Sequence, residues 1–70
     1  MINISNEEKI IMVNNNIDVI SSKIIELWES LEFENSMENP DPVIISKINQ
    51  HILDSNAKLQ ALQQYIDQLK

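Results

Sequence analysis

Lys9, Asn16 and Lys23 follow one another at seven-residue steps, and so do His51, Lys58 and Tyr65. On a helix, side chains seven residues apart lie on one face two turns apart. Each triplet therefore forms a polar row if its segment is helical. The chemistry of such rows is recognition: lysine offers point charge to an anion, asparagine donates and accepts, and tyrosine stacks on a base face. Trp28 is a second stacking candidate. Catalysis has no comparable residues. His51 has no second His or Cys with which to share a metal, and Asp54 stands at the spacing of a surface partner. No Ser-His-acid set with an oxyanion loop is present, and without glycine no phosphate-cradling turn can be built. Glu29 and Glu32 fall on an outer helix face, with nothing beside them to make a general acid–base pair. The sequence therefore predicts a non-enzyme with no metal site and no cofactor.

These rows need helices to hold them. Glycine is absent, the two prolines fall together at Pro40 and Pro42, and aromatics are sparse, a composition suited to long uninterrupted helices. Ile10, Val13, Ile17, Ile20, Ile24, Leu27 and Leu31 alternate at steps of three and four, which is a heptad seam. Ser5-Asn6-Glu7-Glu8 has the form of a capping box ahead of it, behind an apolar lead of Ile2 and Ile4. Helix 1 is thus expected over residues 6–34. The stretch 35–41 breaks the pattern, and Asn39 precedes a proline that disfavours helix there. Asp41 then supplies an N-cap and Pro42 a first helical residue, which opens helix 2 over residues 42–69. Ile45, Ile48, Ile52, Ser55, Leu59, Leu62, Ile66 and Leu69 form its seam, with Ser55 the one polar member. Two long helices joined by a short turn bury their seams by folding back, so the expected fold is an all-α antiparallel helical hairpin in a single domain over residues 1–70. The register pairs Leu31 with Ile45, Ile24 with Ile52, Ile17 with Leu59 and Ile10 with Ile66.

Seventy residues bury too little apolar surface to be comfortably stable alone, and with no cysteine no disulfide or thiolate zinc site adds support. Oligomerisation remains, and a second apolar stripe supplies a place for it. Ile11, Met12, Val19, Ile25 and Phe33 lie outside the helix 1 seam, with Trp28 on another flank. A hairpin leaves them in water, and such a patch predicts a partner. The expected interface of a closed homo-oligomeric helical bundle is Ile11, Met12, Val19, Ile25 and Trp28.

Net charge is −6 and arginine is absent, which argues against binding of long nucleic acid. The longest apolar run is Ile10 to Val13, too short for a membrane span or signal-peptide core. In an antiparallel hairpin Lys9, Asn16, Lys23 and Ser30 lie beside Ile44, His51, Lys58 and Tyr65, on a flank with no acid of its own. Such a flank suits a small anion. The alternative is that its lysines only solvate the hairpin.

The segments Glu8-Lys9-Ile10-Ile11-Met12-Val13-Asn14-Asn15-Asn16-Ile17 and Ala57-Lys58-Leu59-Gln60-Ala61-Leu62, on this helix layout, give the chain a look of small helical proteins of tailed phages. It resembles in particular the anti-CBASS sponge family, helical oligomers that sequester cyclic oligonucleotide immune signals between protomers. The resemblance implies a phage-encoded anti-defence protein acting in the host cytoplasm, partnered by itself and by a nucleotide-derived signal. It is a likeness of size and layout, and the absent arginine departs from what a phosphate site would favour. The ligand contacts expected from the polar flank are Lys9, Asn16, Lys23, His51, Lys58 and Tyr65. The competing expectation is a coiled-coil interaction or assembly module with no small-molecule ligand, which needs only the heptads.

Overall fold

Helix α1 spans Asn6–Asn35 and helix α2 spans Pro42–Leu69 in a computed structural model that describes residues 3–70. Ile2 of the apolar lead lies outside the described residues. The Ser5 side chain accepts from the Glu8 N–H at 3.1 Å, which fixes the start of α1 where the capping residues predict it. At the other end the helix runs one residue beyond the expected boundary. The Ser36 N–H donates to the carbonyls of Glu32 (3.0 Å) and Phe33 (3.2 Å), and its hydroxyl donates to the Phe33 carbonyl at 2.7 Å. The last turn is thereby closed without glycine, and among the described residues none has a positive φ.

Asp41 caps α2 through its carboxylate, which accepts from the Val43 N–H at 2.9 Å, with Pro42 leading the helix as expected. The two helices pack against each other along their length, giving a rod of 55 × 22 × 14 Å. The ends of the hairpin meet where the Asn6 side-chain amide donates to the Leu69 carbonyl, at a long 3.5 Å.

Burial follows the apolar rows. In α2 the only residues not fully exposed are Ile45, Ile48, Ile52, Ser55, Leu59, Leu62, Ile66 and Leu69. In α1 they are the seven apolar residues from Ile10 to Leu31 named above, together with Lys9, Ser21 and Glu34. The deepest apolar side chains are Val13, Leu31, Ile52 and Ile66, and none is wholly out of water. Two helices make one shared face and no interior.

Candidate binding surfaces

Pairing across the hairpin decides which polar residues can act together. Asn16 and Lys58 line one surface depression of about 280 Å³ with Val19, Ile20 and Leu62. This is the cross-helix neighbour relation that the seven-residue rows require. Ser30 and Ile44 likewise share a depression nearer the turn. His51 lies elsewhere, on an almost wholly apolar patch formed by Leu27, Ile44, Lys47 and Ile48. Lys47 joins His51 there because four residues is one helical turn. Lys9 is half-buried, while Lys23 and Tyr65 are exposed. The six residues named as ligand contacts thus form a row along the rod and do not converge. Successive members of a triplet are about 10 Å apart along the axis.

The flank is also less free of acid than its own row of residues implies. Glu26 and Glu29 line the same depression as Ser30 and Ile44, beside Phe33 and Glu34. Glu26 stands one helical turn before Ser30, whose hydroxyl donates to the Glu26 carbonyl at 3.0 Å, so it borders that row. The depression lined by Asn16 and Lys58 has no acid in its lining. That depression, at about 280 Å³, stands at the lower edge of the ~300–1,000 Å³ of usual small-molecule pockets.

The residues expected at an oligomer interface all face solvent in the hairpin. Ile11 is 62% exposed, Met12 54%, Val19 68%, Ile25 59% and Trp28 52%, and Phe33 joins them at 66%. At ~100° per residue, the row directly opposite the buried seam of α1 is Glu8, Asn15, Ser22 and Glu29; Ile11 and Ile25 lie to one side of it with Trp28 beyond them, and Met12, Val19 and Phe33 lie to the other, on the flank of Asn16 and Ser30. Helix α2 presents fewer such residues, chiefly Val43 and Leu53. The outward side of α1 is the main unpartnered apolar surface among the described residues.

Glu34 is a buried position that the apolar seam does not include. Its Oε1 accepts from the Asp41 N–H at 3.0 Å, so it ties the end of α1 to the cap of α2. Stepping three residues on from Leu31 lands on it. That spacing is the sign of its burial in the sequence, and its charge points the other way. Among the described residues no three His, Cys, Asp or Glu side chains are grouped to hold a metal ion, and no helix is long and apolar enough to cross a membrane.

No protein-family model, curated protein or solved structure matches the chain.

Proposed function

We propose that the protein is a non-enzymatic helical interaction module whose binding element is the outward side of α1. The observation that carries this reading is the exposure of Ile11, Val19, Ile25 and Phe33, each 59% or more open to solvent on one helix. None of them is buried by the hairpin, although Val19 and Phe33 border the depressions shared with α2. A run of large apolar side chains kept in water is costly to solubility, and the usual reason for it is a partner that covers it.

A second reading, sequestration of a nucleotide-derived immune signal between protomers, is supported by Asn16 and Lys58 meeting around one depression. It needs an oligomer to complete the pocket, and it must work beside the carboxylates that border the flank toward the turn.

Two measurements separate these readings. A photo-cross-linking residue placed at Ile25, in cells that produce the protein, is expected to give an adduct of discrete mass, while the same residue at exposed Gln60 gives none. A panel of cyclic di- and trinucleotides is expected to leave the melting temperature unchanged. The opposite pattern, with no adduct at Ile25 and a melt raised by one nucleotide but not in Lys58→Glu, would replace the module with the sponge. An adduct of twice the chain mass would make the module a homo-oligomer.

A further inference from the structure

Charge is divided unequally between the two helices. Helix α1 carries seven acidic residues against two lysines, whereas α2 balances Asp54 and Asp67 with Lys47 and Lys58. The excess is concentrated on the outward side of α1. One seven-residue row there reads Ile11, Asp18, Ile25, Glu32 and another reads Met12, Val19, Glu26, Phe33, with the polar row Glu8, Asn15, Ser22, Glu29 between them. All eight side chains of the first two rows are exposed. The two lysines of α1, Lys9 and Lys23, both lie off these rows, on the flank beside α2, and Lys9 is half-buried there.

We infer that the outward side of α1 is a docking surface for a cationic amphipathic helix of another protein, one that sets apolar side chains on Ile11 and Ile25 on one row and on Val19 and Phe33 on the other, and Lys or Arg against Asp18, Glu26, Glu29 and Glu32. This inference rests on the interaction-module reading and names its partner. Charge complementarity selects the occupant. A second copy of the chain would bring the same acids against one another in either orientation, and like charges across an interface oppose association. An anionic membrane surface is repelled for the same reason. A basic helix neutralises the acids while covering the apolar residues among them. The span from Ile11 to Phe33 is ~33 Å, enough for about six turns of a partner helix.

The test uses the whole chain and two synthetic peptides with one apolar stripe, flanked by lysines in the first and by glutamates in the second. Titration followed by fluorescence anisotropy is expected to show saturable binding of the lysine peptide only. Ile11→Ser with Ile25→Ser should weaken it by about tenfold or more, since central apolar anchors carry most of the affinity of such interfaces. Asp18→Lys with Glu32→Lys should shift the preference to the glutamate peptide. Circular dichroism checks that each variant stays helical, and the charge-reversal pair decides the matter if the serine pair does not. Equal binding of both peptides, or an unchanged preference after charge reversal, overturns the inference. So does sedimentation of the free chain as a dimer that Ile25→Ser dissociates, because the occupant is then a second copy. If a foreign protein cross-links at Ile25 but neither peptide is preferred, the module stands and only its partner's chemistry is wrong.

Discussion

Glu34 joins the two ends of the turn. Its carboxylate receives the Asp41 N–H, Asp41 receives the Val43 N–H, and the Asp41 carbonyl receives the Ile45 N–H at 3.0 Å, so a chain of hydrogen bonds runs from the last turn of α1 into the first of α2. A hydrogen bond to a charged group contributes about 1.5–3 kcal/mol, and removing the acceptor leaves a partly buried N–H unpaired. Glu34→Ala is therefore expected to lower stability by about 1–2 kcal/mol in urea titration, while Glu34→Gln, which keeps an acceptor oxygen, loses less. Equal losses for the two would show that Glu34 acts by packing alone. The residue was hidden in the sequence because a carboxylate ordinarily marks the solvent side, and only tertiary placement of the Asp41 N–H gives it a reason to be buried. The ligand contacts met the opposite difficulty. Spacing places Asn16 beside Lys58, and the depression they share agrees, but spacing says nothing about Glu26 and Glu29 entering from the adjoining row.

At the scale of the element, α2 separates buried from exposed positions cleanly, since every half-buried or buried residue belongs to one row of eight. Ile52, at 5% exposed, and its neighbour Leu53, at 63%, differ by one step around the helix. Truncating each to alanine should therefore give very different results. Ile52→Ala is expected to cost about 2–5 kcal/mol. Leu53→Ala should stay within about 0.5 kcal/mol. Similar losses at both positions would mean that α2 sits rotated from the orientation described. Helix boundaries were legible because the local chemistry is unambiguous: Ser5 and Asp41 cap as their side chains require, and Pro42 can open a helix but not continue one. What lies against the outward side of α1 was not legible, because periodicity identifies a face that needs covering and leaves open what covers it.

For the molecule as a whole, the consequence of this design is a hairpin with little to hold it. Among the described apolar residues only Val13, Leu31, Ile52 and Ile66 fall to 9% exposure or less, and a two-helix fold of this size is marginal without a further layer. A partner that binds the folded hairpin alone adds about 2.7 kcal/mol at a hundredfold excess over Kd. Salt acts on the free chain and on the complex in opposite directions. In the free chain the acids of α1 repel one another through solvent, so screening them as ionic strength rises past the ~10 Å Debye length of 0.1 M salt relieves the folded state. In the complex the same acids attract the partner's lysines, and screening weakens that attraction. The melting temperature of the isolated protein is thus expected to rise modestly with sodium chloride and to be independent of protein concentration across the micromolar range, while the extra stability conferred by the lysine peptide shrinks over the same salt series. A homo-oligomer instead gives a melt that rises with protein concentration, because dissociation is then linked to unfolding. A peptide-induced shift indifferent to salt would leave apolar contact as the whole of the attraction and the acids of α1 as mere solvation.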